Sequence, residues 1–547
     1  MSSAQQGTTG HHRFSARRDG ATARLLRRPS ARAAGIWSAV YAIAWSTGQR
    51  YSTDFLHYGY QIVPYPTLRA DPFGSVWYLH IQPPLWNLVL GVFGRWSPLP
   101  TAITLQLLAV LLGALLAGTL CSLLGRIDVP PGRAVVIALI ATVNPSVLKL
   151  AFDAQYELAV ALALVVLLWA LAGGPTTSAA RRLVIISVMA TSIVMTRSLF
   201  HPVWLVLFLA PVLYGARRLG RRLSMAGAVL IPLVVVGGWI VKNDVLFSEP
   251  SLSSWTGMNL LHSIAPTIPA AELRQLAADG SVSPVTTVGA FQPYSSYAGS
   301  VATCVPRHDN PAASEAVSTA PSVGFDGKNF YTPNFNDECF IPLYRLAGDD
   351  AQFLAFRYPY HWLAAREWSA RAWFGSGFQN GTSPSIVLRG LDGAFAVARA
   401  DLPAPQVSSS GWQSQEVYGK LGREDVSWSV LGCSLLVLIT GASEVIRRAR
   451  GRSTFSRRSS VLAASAFILA WTFVTGVVGE LGEQGRFRTM TDPLVVALGL
   501  VIVASIVDRR RRHPVATSDQ PDTVPVWQSS WSPTSPTTST DPRTPRP

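Results

Sequence analysis

Runs of apolar residues, broken by short polar and basic stretches, recur from residue 33 to residue 507. They carry neither the period of two of a half-buried strand nor a single amphipathic stripe, so they read as helices buried in lipid or in one another. The pattern predicts spans at Ala33–Ser46, Thr101–Leu124, Ala134–Lys149, Leu158–Leu171, Leu183–Met195, Pro202–Tyr214, Met225–Val241, Trp428–Ile446, Ser460–Val478 and Pro493–Val507. That is an all-α polytopic membrane protein of about ten transmembrane helices. One apolar stretch does not fit: "HIQPPLWNLVLG" opens a segment at 80–96 too short to cross a bilayer, which takes roughly 20 helical residues.

Composition agrees with a membrane chain. Of 547 residues, 49% are hydrophobic and 14% charged, against about 25% charged in ordinary soluble domains. The net charge of +15 would suit nucleic acid, but the basic residues lie in clusters between apolar runs, which is the positive-inside pattern. Nucleic acid is therefore not expected as a partner. With the N-terminus in the cytoplasm, "GRIDVPPGR", "ARRLGRR", "RRARGRSTFSRR" and "RRRRH" all fall inside only if 80–96 does not cross. The expected topology is N-in and C-in, with 80–96 as an interfacial element on the outer face.

The domain organisation follows. Residues 1–32 form an Arg-rich cytoplasmic tail, 33–241 a transmembrane core, 242–427 an extracytoplasmic region, 428–508 the C-terminal helices and 509–547 a Pro/Ser/Thr-rich cytoplasmic tail. Within the outer region, "DDAQFLAFRYPYHWLAAREWSARAWFG" reads as one amphipathic helix at the interface, aromatics towards lipid. Cys304 and Cys339 lie in this region, outside the reducing compartment, and are candidates for a disulfide.

The outer segments hold the chemistry. Asp54 follows the first span by a few residues, and Asp153 and Glu157 share one loop, four residues apart, a spacing that puts both on one face if the next helix begins early. Against the positive-inside trend, Lys149, Arg197, Lys242, Arg486 and Arg488 also fall there, with His201 near Arg197. Each alone suits a lipid headgroup contact; together, facing carboxylates, they suit an anion site. A lipid-phosphate sugar donor carries its own leaving group, so it needs one carboxylate base for the acceptor hydroxyl and cations for the departing phosphate.

The order of these features resembles the GT-C glycosyltransferases. It has an acid after the first span, a "PPL" element, an acid at the head of a span in the second outer loop, and "GEQGRFRTMTDP" before the last span. The protein O-mannosyltransferase and aminoarabinose-transferase branch, with its RgtA/B/C/D-like relatives, is the part of the family it is most similar to. The resemblance implies transfer of a hexosyl or pentosyl group from a polyprenyl-phosphate donor to an envelope glycan, lipid or protein. It implies Asp54 as the catalytic acid of the first loop and Glu157 or Asp153 as the second. His80 and Gln82, before the two prolines, stand where the donor is contacted, and Arg197, His201, Lys242, Arg486 and Arg488 would bind substrate. The family often has an acidic pair where this chain has Asp54 and Phe55, so a divalent metal at Asp54 and Glu157 is not favoured and no cofactor is expected. A transporter or flippase of a lipid-linked intermediate, and a non-catalytic scaffold, are the rival readings; the lack of internal repeats counts against transport.

Overall fold

Helix α1 (Pro29–Ser46) begins on a proline, whose fixed φ and missing N–H suit the first helical turn, and ends before Gly48 at φ +110°. It packs along α3 (Thr101–Arg126) and α4 (Pro131–Val143), with the Trp37 indole donating to the Thr142 carbonyl at 3.2 Å. Between them comes α2 (Leu85–Trp96), 12 residues and so about 18 Å long, well short of a hydrocarbon core of about 30 Å. Helix α5 (Glu157–Ala172) is apolar all round and is enclosed by α3, α6 (Ala179–Val194) and α13 (Arg457–Gly479). Helix α7 is Pro202–Arg218, α8 Arg222–Pro232 and α9 Gly238–Phe247, the last two joined by a π-helical turn at Leu233–Gly237 directly after Pro232.

The intervening region is built of short helices, with α10 (Phe340–Arg357) and α11 (Pro359–Trp373) as its longest. Helix α12 (Trp428–Ala449) pairs with α13, and a short α14 (Gln484–Thr489) leads into α15 (Asp492–Arg512). The computed structural model describes residues 28–174, 178–218, 222–301, 303–314, 322–323, 329–330, 332–374, 385–396, 399–401, 425–451, 456–479 and 484–512. The basic segment before Arg28, parts of the region between 302 and 427, and the tail beyond Arg512 lie outside them. Residues 1–502 form one compact unit and 503–547 a second.

Several expected elements change. Among the described residues four helices are long and apolar enough to cross a membrane: Thr101–Arg126, Ala226–Phe247, Ser429–Ala449 and Arg457–Gly479. Pro131–Val143, Glu157–Ala172 and Pro202–Tyr214 are shorter apolar helices, so the ten expected crossings are not ten helices of spanning length. The expected span Ala134–Lys149 breaks at Asn144–Pro145, because a proline disfavours the helical conformation in the residue before it. The expected interfacial helix is likewise two, divided at Tyr358–Pro359. Its Trp368 and Trp373 are buried against the bundle rather than turned outward, while Phe356 and Tyr360 are exposed. Within the helical chain two short pairings occur: Ser322–Val323 pairs antiparallel with Asn329–Phe330, and Arg399–Asp401 with Asp425–Ser427.

Candidate active site

Glu157 opens α5, where backbone N–H groups have no intrahelical partner and negative charge is favoured. It is fully buried. A carboxylate removed from water costs several kcal/mol unless it is paired, and here Arg486 Nε donates to Glu157 Oε1. Arg486 sits on α14, which packs against α5, α11 and α13. Its Nη2 donates to Gln61 Oε1 at 3.1 Å, and the same oxygen accepts from Tyr156 Oη at 3.2 Å. Tyr156 Oη in turn accepts from Arg197 Nη1. The phenol thus gives its one proton to Gln61 and accepts from Arg197 on a lone pair, so the donors from both arginines converge on the Gln61 oxygen.

Aromatic faces complete the enclosure. The Arg486 guanidinium lies 5.1 Å from the Phe55 ring and 5.2 Å from Tyr156; Arg197 lies 4.3 Å from Phe487 and 5.2 Å from Tyr156. Glu157 Oε2 and Arg197 Nε are buried and make no hydrogen bond. Native proteins leave few such groups, and a carboxylate oxygen and a guanidinium N–H without partners mark this as a place built to meet polar matter.

Asp54 stands at the rim of this cluster, exposed, one residue before Phe55. Ser52 holds its loop in place: it donates its N–H to the Phe152 carbonyl at 2.8 Å, bridges Asp153, and accepts from the Asp54 N–H at 3.1 Å. Asp153 is buried and accepts from Gln155 Nε2 at 3.0 Å. Burial, with the Asp153 carboxylate nearby, holds the Tyr51 phenol well above its ordinary pKa. The first-loop and second-loop acids are therefore on adjoining strands of backbone.

The short helix α2 fixes these loops. Trp86 donates to the Ala154 carbonyl at 3.1 Å. Asn87 accepts from the Val63 N–H and donates to the Gln61 carbonyl, both at 3.0 Å. Leu85 N–H donates to the Met195 carbonyl at 2.8 Å, and Gln82 Oε1 accepts from Ser198 at 3.3 Å, next to Arg197.

Other expected site residues are placed elsewhere. Arg488 is buried against Asp492 and the Trp373 carbonyl, at 3.1 and 2.9 Å, in a pair of its own. His201 is exposed, and its Nδ1 accepts from the Val203 N–H at 3.3 Å at the start of α7. Lys242 donates to the carbonyls of Trp77 and Leu79 at 3.0 and 2.8 Å, with its Nζ 3.8 Å over Trp239. His80 is close to it. Its Nε2 lies 2.9 Å from the Asn336 carbonyl, which can only accept, so the proton is on Nε2 and Nδ1 accepts from Ser254 Oγ at 2.7 Å. Complete burial and the Lys242 charge pull the His80 pKa down to about 3. Asn336 also accepts from the His80 N–H and donates to the Tyr78 carbonyl, so this group ties the "HIQPP" segment to the 332–340 stretch. In that stretch Cys339 is bonded to Cys304, Cα atoms 5.6 Å apart.

Among the described residues no group of three His, Cys, Asp or Glu is arranged to hold a metal. Glu157 is engaged by Arg486 and feels the Arg197 charge as well. Gln61, Tyr156, Phe487 and Asn87 went unread in the sequence: they are neutral, and only their contacts single them out, with Arg486 or Arg197 for the first three and with the Val63 and Gln61 backbone for Asn87.

No protein-family model and no curated protein matches the chain. Among solved structures, it is similar to the crystal structure of ArnT from Cupriavidus metallidurans bound to undecaprenyl phosphate. The two are 16% identical, the match covers 83% of this chain and 77% of that one, and the TM-score is 0.30.

Proposed function

We propose that the chain is a membrane glycosyltransferase that moves a hexosyl or pentosyl group from a polyprenyl-phosphate donor to an acceptor of the cell envelope, on the extracytoplasmic face. One observation carries the reading: two guanidiniums, Arg197 and Arg486, meet at the head of α5 beside the buried Glu157, with the exposed carboxylate of Asp54 at the rim. In the proposed step, Asp54 takes the proton of the acceptor hydroxyl as its oxygen attacks the anomeric carbon. The bond from that carbon to the phosphate oxygen breaks, and polyprenyl phosphate leaves with the bond pair. Arg197 and Arg486 hold the phosphate. Glu157 keeps Arg486 aligned, and Asp153 shapes the Asp54 loop.

Transfer of label from a radiolabelled polyprenyl-phosphate sugar by the purified chain tests the reading. Asp54→Asn keeps size and one hydrogen-bond acceptor but cannot take the proton, so turnover is expected to fall by about two to four orders of magnitude. Asp71 serves as the control. Its side chain caps the helix Pro72–Trp77 by accepting from the Gly74 N–H at 3.0 Å, and asparagine caps equally well, so Asp71→Asn should be mild. Equal, small effects of both changes would remove Asp54 from the mechanism; movement of the lipid without transfer would make the chain a transporter.

A further inference from the structure

Beside the charged cluster lies a group of rings that the chemistry above does not use. Consecutive residues diverge: the Gln61 side chain enters the Arg486 network, while the Tyr60 ring lies 4.7 Å from Phe335 and 5.9 Å from Phe291. Phe291 in turn meets Trp255 at 5.4 Å and His262 at 5.9 Å, both edge-on. Three features set this group apart from ordinary core. Tyr60 is 43% exposed although its neighbours are packed. Phe291 has φ +56°, a left-handed backbone that a non-glycine residue holds only when its surroundings impose it. The Trp255 indole is 3% exposed, and its N–H has no hydrogen-bond partner, whereas buried tryptophans usually find one.

We propose that Tyr60 and Phe291, backed by Trp255, form a carbohydrate-binding shelf that presents the acceptor sugar to the charged cluster. A sugar ring has an apolar C–H face and a rim of hydroxyls. The exposed Tyr60 ring and the half-buried Phe291 ring, beside a buried N–H donor, offer the matching surface, apolar contact with a few polar groups to fix orientation. The strain at Phe291 places its ring on that surface. The shelf leads into the site through Gln61, which follows Tyr60 and accepts from Arg486. That its sugar is an acceptor rests on the transferase reading; that it binds a sugar does not.

The test uses the full chain in a non-glycosidic detergent, with methyl α-D-mannopyranoside and methyl β-D-arabinofuranoside as probes in saturation-transfer NMR. At least one probe should bind the wild type. Tyr60→Ala and Phe291→Gly should each weaken that binding by roughly tenfold. Glycine accepts φ +56° without strain, so Phe291→Gly removes the ring while keeping the backbone. Phe356→Ala, at a ring 80% exposed elsewhere, should bind as wild type. Binding of neither probe, or unchanged binding in both shelf variants, overturns the shelf. Sugar transfer by Tyr60→Ala with an unchanged acceptor KM overturns it too, yet leaves the transferase reading standing. Probe binding that Tyr60→Ala abolishes, in a chain that transfers nothing, supports the shelf and removes the transferase reading.

Discussion

Replacing Arg486 by glutamine removes the partner of a carboxylate that has no access to water. Glu157 is fully buried, and its Oε2 already lacks a hydrogen bond, so the variant leaves a buried carboxylate without its ion-pair partner. Breaking a buried pair from one side costs about 3–5 kcal/mol. Gln61 loses a donor as well, about 1 kcal/mol more. The double change Arg486→Gln with Glu157→Gln replaces the ion pair by two amides and restores most of the loss. The assay is denaturant unfolding of the purified chain in mixed micelles, followed by near-ultraviolet circular dichroism and analysed as a cycle of wild type, two single variants and the double. The expected coupling energy is at least about 2 kcal/mol. Single variants as stable as wild type, with a coupling near zero, would refute the buried pair and return Arg486 to a surface contact with lipid phosphate.

His80 gives a pH signature. Its pKa is about 3 in the folded chain and about 6.5 in the unfolded one, so between those values the unfolded state binds the extra proton; its stabilising contribution is complete above pH 6.5 and is lost as pH falls towards 3. Unfolding measured from pH 7 to pH 4 should show a slope that His80→Gln reduces, and an identical slope in the variant would exclude His80. Asn87→Leu should strand the Val63 N–H and the Gln61 carbonyl, costing about 1–3 kcal/mol for each, with sugar transfer lost beyond what the stability change explains; normal transfer would deny α2 a part in holding Gln61. For the charge-based topology, reporters fused after Arg222 and Arg458 should read cytoplasm and those near Ser300 and Gly485 the outside; an outward reading after Arg222 would move the site to the other face.

Long apolar runs were legible because lipid and bundle interior demand the same composition over many residues, and α3, α12 and α13 lie where those runs are. Breaks were less legible, although the sequence carries their chemistry: "NPS" and "YPY" each place a residue before proline where helix is disfavoured. The end of α9 was missed for another reason. The span was expected to close at Val241, yet the helix runs on to Phe247, and the carbonyls of Trp77 and Leu79, 165 and 163 residues away, satisfy the Lys242 ammonium. Arg486 and Arg488 looked like a matched pair. On a helix, two residues apart is about 200° around the axis, so one meets Glu157 and the other Asp492.

The stretch "HIQPPLWNLVLG" shows how a segment too short to cross a membrane serves a bundle. Two prolines keep residues 81–84 out of a helix, leaving their backbone free to meet neighbours: the Ser253 hydroxyl donates to the Ile81 carbonyl at 2.7 Å, and the Ser254 N–H to the His80 carbonyl at 3.0 Å. The helix that follows is amphipathic, and its buried face carries Trp86 and Asn87 rather than aliphatic residues alone. A tryptophan N–H and an asparagine amide there reach three backbone groups, at Ala154, Val63 and Gln61, in the two loops that carry the acids and the glutamine. Loops are costly to hold still, about 1–2 kcal/mol of backbone entropy per residue, and a site is more precise when rigid elements hold it. A spanning helix would have to commit its whole apolar length to lipid and bundle. A 12-residue helix can lie across the loops instead, and that is the economy its length allows.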